Sequence, residues 1–188
     1  LFDERCRELG VEVIGHDSID AKAQEFKSLM ATIKAAKPDL VYFGGTTQSK
    51  GGQLAKDMAA AGIGAMLMVP DGCLEQVFID SAGASNLEGR CFVTFGGLPP
   101  EKLEGKGGEF VARYKDKYGE LPEAYAVYGY EAACVALRAI AAADSKDRRA
   151  ITDAALSIRD FDGALGHWGF DENGDTTMRT LTVNVVKG

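Results

Sequence analysis

Three short apolar runs, Leu40-Val41-Tyr42-Phe43, Met66-Leu67-Met68-Val69 and Cys91-Phe92-Val93-Thr94-Phe95, alternate with stretches of helical periodicity. None of the three shows the in–out alternation of a sheet with one wet face, so each reads as a strand covered on both sides. Upstream of the first run, Phe26, Leu29, Met30 and Ile33 mark a helix over about 24–36, stopped at Pro38-Asp39. Leu54, Met58 and Ala61 share a face of the next helix, with Gly62 as its stop. A short helix over about 74–80 follows the second run, and Val11-Glu12-Val13-Ile14 reads as a further strand. Strand–helix–strand units of this length predict an α/β fold with a doubly wound parallel sheet.

Gly96-Gly97-Leu98-Pro99-Pro100 breaks this rhythm. Beyond it lie three helix-like stretches with almost no strand between them. Phe110, Tyr114 and Tyr118 fall on one face, an Ala-rich segment runs over about 123–143, and Ile151, Ala155 and Ile158 form a third stripe. Helices in this number without a sheet of their own need a surface to pack on. Asp171-Glu172-Asn173-Gly174-Asp175 then predicts a tight turn, with Asn-Gly as the hairpin signal, leading to a terminal strand over 181–186.

Charge and composition narrow the function classes. The 188 residues are 46% hydrophobic and 26% charged, with a net charge of -7. That balance is ordinary for a globular protein, and its sign disfavours nucleic acid and anionic lipid as partners. No apolar run approaches the roughly 20 residues of a membrane helix, so no segment is expected to span a bilayer. A small molecule or another protein is the expected partner. Residues 1–9 read as the second half of an amphipathic helix ending at Gly10, with no N-cap ahead of them, so the chain is expected to be part of a longer protein.

Cys6, Cys73, Cys91 and Cys134 show no C-x-x-C spacing, which disfavours zinc and thioredoxin-like chemistry. Cys73 follows one strand and Cys91 opens the next. In parallel strands they would lie roughly 15 Å apart at about 3.3 Å per residue, too far for a disulfide. Free, mostly buried thiols are expected.

In open parallel sheets ligands sit beyond the carboxyl ends of the strands. Two such ends are legible. Gly44-Gly45-Thr46-Thr47 offers paired glycines for close approach and two hydroxyls, and Val69-Pro70-Asp71-Gly72 places a carboxylate on the same edge. From the residue pattern alone, Asp71 shaping an Asp-Gly turn or capping the following helix is the simpler reading. Thr46 and Thr47 equally fit as loop residues ahead of a helix.

Other constellations are weaker. His16 and His167 have no serine or cysteine at a catalytic spacing, and His167 reads as a strand or loop residue. Asp171, Asn173 and Asp175 imitate the opening of a calcium loop, but glycine falls at its fourth place rather than its sixth. Glycines 44, 45, 51 and 52 do not spell a nucleotide fingerprint. Tyr125, Tyr128 and Tyr130 read as core. No cofactor and no metal is implied.

The order of several blocks carries a family likeness: Glu25-Phe26, Leu29 and Ile33, Lys37 to Gly45, Tyr118-Gly119, Tyr125-Ala126, Phe161 to Gly166, and Phe170 to Asp175. In this order they resemble the C-terminal part of the leucine/isoleucine/valine-binding-protein family. The resemblance spans nearly the whole chain. It implies the type I periplasmic-binding-protein fold, a two-lobed receptor that closes on its ligand. On that map residues 1–97 are second-lobe core, 98–163 are helices that pack on the first lobe, and 164–188 return to the second. It also implies a non-enzymatic, extracytoplasmic receptor that catches an amino acid, branched-chain type or similar, and delivers it to the membrane permease of an ABC importer.

In similar receptors an acid at the position of Asp71 pairs with the ligand's ammonium, and an aromatic residue often stands where Thr46 and Thr47 lie. This sequence departs from the second pattern. A ligand-sensing domain of a regulator or receptor is the alternative, and an enzyme of doubly wound fold would need an acid–base or nucleophile set that the sequence does not offer. The 188 residues alone are expected to self-associate through the helices over about 103–160.

Overall fold

A computed structural model describes residues 2–187 and divides the chain into two compact units, 1–95 with 183–188, and 96–182. The first unit is an α/β layer structure. Helices α1 (Phe2–Glu8), α2 (Lys27–Ala36), α3 (Gly51–Ala60), α4 (Gln76–Ala82) and α5 (Ala84–Leu87) accompany strands β1 (Leu40–Tyr42), β2 (Met66–Val69) and β3 (Cys91–Phe95). β1 and β2 pair in parallel with Tyr42 opposite Met68, and β2 and β3 with Val69 opposite Val93. The strand near the C-terminus (Thr182–Val185, numbered β6 in chain order) lies beside β3, giving the order β1-β2-β3-β6. It runs against its neighbour, since Asn184 reaches Val93 and Val186 bonds back to Cys91 and Gly89.

The runs form strands as expected but are not covered equally on both faces: burial alternates along β2 and β3, and Leu40 and Tyr42 of β1 are exposed. Val69, Cys91, Val93, Phe78, Ala82 and Leu87 are among the buried residues of one core, joined by Met30, Leu54 and Met58 from α2 and α3. Burial at roughly 25 cal/mol per Å² of apolar surface makes this core the main stabilising term of the unit. α2 starts at Lys27 rather than near 24, because the Phe26 N–H is taken by the Asp57 carboxylate of α3 at 2.6 Å. Lys34 Nζ donates to the Ala61 carbonyl at 2.7 Å, tying the far end of α2 to the turn after α3.

The expected strand at 11–14 does not form. These residues are irregular, and Val11 and Ile14 are about half exposed. A strand is stable only when its backbone N–H and C=O groups meet a partner, and no described strand lies beside this one. Its β-branched composition is therefore left without a ladder to join.

The second unit contains α6 (Gly105–Tyr118), α7 (Ala126–Ala143) and α8 (Arg148–Leu156), as the three stripes predict. It also holds a sheet that the periodicity does not disclose. β4 (Phe161–Gly163) pairs antiparallel with β5 (Gly166–Trp168), so the helices have a small sheet of their own. Three-residue strands, one ending at Gly163 and the next opening at Gly166, are too short to show a period. Ile158, Phe161 and Trp168 form a buried cluster on which Val135, Phe170 and Met178 pack. The predicted turn at 171–175 is present: Phe170 bridges Thr176, and Asp171 Oδ1 accepts the N–H groups of Asn173 and Asp175, each at 2.9 Å. Those bonds hold the Asp171 carboxyl below the usual carboxylate range. Residues 164–182 thus pack within the unit that begins at Gly96.

By length and composition α7 is one helix apolar enough to cross a membrane. It is anchored otherwise. Its Glu131 is buried and accepts hydrogen bonds from Ala164, Leu165 and Trp168. The predicted core tyrosines are not core: Tyr125 and Tyr130 are exposed and Tyr128 is half-buried, its hydroxyl donating to the Gly96 carbonyl. Aromatic rings on this helix have a hydroxyl to hydrate, so the surface accepts them.

Candidate functional site

Parallel pairing of β1 and β2 brings their carboxyl ends to one edge, so the loop after Tyr42 and the loop after Val69 stand side by side. The two loops are bonded to each other. The Thr47 N–H donates to the Gly72 carbonyl at 3.1 Å, and the Thr47 hydroxyl donates to the same oxygen at 3.3 Å. The Cys73 thiol lies 4.0 Å from the Gly45 carbonyl. Burial pushes that thiol up to about 11, so it stays neutral and acts as packing rather than as a nucleophile.

Within the first loop a tight turn fixes Thr46. Its N–H donates to Ser49 Oγ at 2.8 Å, the Ser49 hydroxyl donates to the Thr46 carbonyl at 3.2 Å, and the two hydroxyl oxygens stand 3.0 Å apart. Either hydroxyl can donate to the other, and the Ser49 N–H donates to Thr46 Oγ1 at 3.3 Å. Lys50 closes the turn in the left-handed region at φ 75°, and α3 departs from there. Gly45 serves packing rather than approach by a ligand: a Cβ on it would come within 2.3 Å of the Phe43 ring.

Asp71 opens a short 3-10 turn, Asp71–Cys73, closed by the Leu74 N–H on the Asp71 carbonyl at 2.8 Å. The capping alternative does not hold, because α4 has Glu75 at its N-cap and no side-chain cap. Asp71 is exposed, Thr46 is exposed and Thr47 is half-buried. All three sequence-selected residues thus lie on adjoining loops at one sheet edge.

The Thr47 hydroxyl donates to the Gly72 carbonyl, while Thr46 Oγ1 pairs with Ser49 Oγ and accepts the Ser49 N–H at 3.3 Å. Two hydroxyls and a carboxylate on one edge suit a donor-rich, positively charged group. Sequence reasoning passed over Ser49 and Gly72, which hold this arrangement. The only available signal was Ser49 three residues after Thr46, the spacing of a side-chain-closed turn.

The chain matches the family described as Periplasmic binding protein over residues 2–188. It belongs to that family. A curated relative from Brucella suis, a Leu/Ile/Val-binding protein homolog, is 30% identical over 95% of this chain and 47% of its own length. A leucine-binding protein from Thermotoga maritima superposes with a TM-score of 0.89 at 29% identity, over 99% of this chain and 52% of that one. A branched-chain amino acid transporter substrate-binding protein from Streptococcus pneumoniae, solved with isoleucine, gives a TM-score of 0.84 at 20% identity, over 98% of this chain and 52% of that one. The chain therefore spans about half the length of these relatives, and its fold is that of type I periplasmic binding proteins.

Proposed function

We propose that the full-length protein is an extracytoplasmic, non-enzymatic solute receptor of an ABC importer, binding an amino acid of branched-chain type or a related small carboxylic compound. Asp71, Thr46 and Thr47 contribute to the pocket, with Asp71 taking the ligand's ammonium. Residues 1–97 build the core of one lobe, the helices of 98–163 pack on the other, and the chain from 164 onward leads back. Closure of the lobes on ligand precedes delivery to the membrane permease.

The observation that carries this reading is the bonded pair of loops beyond β1 and β2, which brings Asp71, Thr46 and Thr47 to one sheet edge. An ammonium brings donors and positive charge, and a charge-assisted bond to a carboxylate is about twice as strong as a neutral one. The names of the relatives point to the same ligand class. Titration calorimetry of the full-length protein against leucine, isoleucine and valine, alongside their α-keto analogues, tests it. Saturable binding of an amino acid, with the keto analogue at least about tenfold weaker and no product formed, is expected. Failure to bind any of them, or turnover of the ligand, overturns the reading.

A further inference from the structure

The contact between Gly72 and Thr46 points to a specific positioning device. A Cβ built on Gly72 would stand 2.7 Å from Thr46 Cγ2 and 3.2 Å from Thr46 Cβ. Threonine has two heavy branches on Cβ, so rotation about χ1 that moves Cγ2 away also moves Oγ1. Oγ1 is the atom paired with Ser49 Oγ at 3.0 Å. The Gly72 carbonyl, on the same residue, receives both the N–H and the hydroxyl of Thr47. Gly72 is also the residue that follows Asp71.

We infer that Gly72 and Ser49 are positioning residues of the ligand site: by close approach and by hydrogen bonding they lock Thr46 and Thr47 into one geometry beside Asp71. This rests on the ligand reading given under the proposed function. Neither residue touches ligand in this account. Ser49 fixes Thr46 through the paired hydroxyls and the two reciprocal bonds from backbone N–H to hydroxyl, and Gly72 sets the spacing between the two loops by lacking a side chain. Preorganised groups recognise a ligand only if held within about 0.5 Å of the productive geometry, so a displaced Thr46 weakens binding without unfolding the sheet behind it.

The distinguishing experiment is a rescue in the full-length protein, with leucine as the probe. Gly72→Ala is expected to weaken leucine binding by about tenfold or more. Adding Thr46→Ser, which removes Cγ2 and keeps Oγ1, to Gly72→Ala is expected to restore a large part of the loss, because the nearest clashing atom is gone. Ser49→Ala weakens binding, and Ser49→Thr, which keeps a hydroxyl, less so. Amide exchange at Thr47, whose N–H bonds to Gly72, accelerates in Gly72→Ala with no ligand present, while the amides of β2 and β3 keep their protection. Gly72→Ala binding like the parent, or a double variant no better than Gly72→Ala, overturns the inference while the ligand reading stands. Absence of leucine, isoleucine and valine binding in the parent protein removes the ligand reading and this inference together.

Discussion

Trp168 Nε1 donates to Glu131 Oε1 at 2.8 Å, and Glu131 is only 3% exposed. The same carboxylate accepts the Ala164 N–H at 2.8 Å and the Leu165 N–H at 3.3 Å. One side chain of α7 thereby satisfies the hairpin that joins β4 to β5. A buried charge is tolerable only when hydrogen-bonded, and this one is. There is no room for more: a Cβ on Gly163 would fall 1.9 Å from Glu131 Oε1.

Replacing Glu131 with Ala therefore leaves up to three buried donors unpaired. Each unmade buried bond costs about 1–3 kcal/mol, so a loss of about 3 kcal/mol or more in unfolding free energy is expected. Glu131→Gln, which keeps one acceptor oxygen, should lose less. Trp168 is the sole tryptophan of the sequence, so its fluorescence in a denaturant titration reports on the hairpin directly. Equal stability of Glu131→Ala and the parent would show that water replaces the carboxylate at no cost.

Asp71→Asn keeps the shape of the side chain and removes its charge. In the full-length receptor it should weaken amino-acid binding by about 2–5 kcal/mol, the usual cost of stripping one partner from a desolvated charge pair. Its thermal midpoint should shift far less than its affinity, because the turn it opens is closed through its backbone carbonyl. Unchanged calorimetric affinity would return Asp71 to a turn-forming role.

The buried thiols are chemically quiet. Burial raises Cys73 to about 11 and Cys91 to about 12, so at pH 7–8 neither offers thiolate. All four cysteines are free, and Cys6 and Cys134 are partly exposed. Alkylation of the folded chain at pH 8 should label Cys6 and Cys134 and spare Cys73 and Cys91 until denaturant is added. Mass mapping of labelled peptides checks the pattern, and labelling of Cys73 or Cys91 in the folded chain at pH 8 would overturn it.

Much of this was readable in the residues because its causes are local. Apolar runs without alternation gave strands at 40–42, 66–69 and 91–95, and the edge they share followed from parallel pairing. The choice of Asp71, Thr46 and Thr47 needed only that edge and the residues on it. Features set by distant partners were not readable. Val11-Glu12-Val13-Ile14 has strand composition but no neighbour to pair with, and β4 and β5 form because α7 carries Glu131 opposite their loop. Ser49 and Gly72 escaped notice for a similar reason: a hydroxyl on a turn and a missing Cβ acquire meaning only when the second loop is in place.

The outer face of α7 leads to the last expectation. Val127, Glu131 and Ala139 are buried, so that side of the helix is packed. Tyr130, Ala133, Leu137 and Ile140, which recur at helical spacing on another side, are all exposed, Leu137 by 67%. A helix apolar on both faces belongs in an interior, and here only one face has one. In the full-length receptor the remaining half of the protein would cover it, but these 188 residues alone must leave it wet or share it. A second copy offers the same apolar face, and a two-fold pairing of α7 helices buries both at once. Light scattering on the 188-residue chain should therefore show a dimer or larger species, and Leu137→Lys with Ile140→Lys should shift it toward monomer by placing charges on that face. A monodisperse monomer with α7 protected from hydrogen exchange would mean that the exposed face is stable in water, and that its apolar residues serve something other than association.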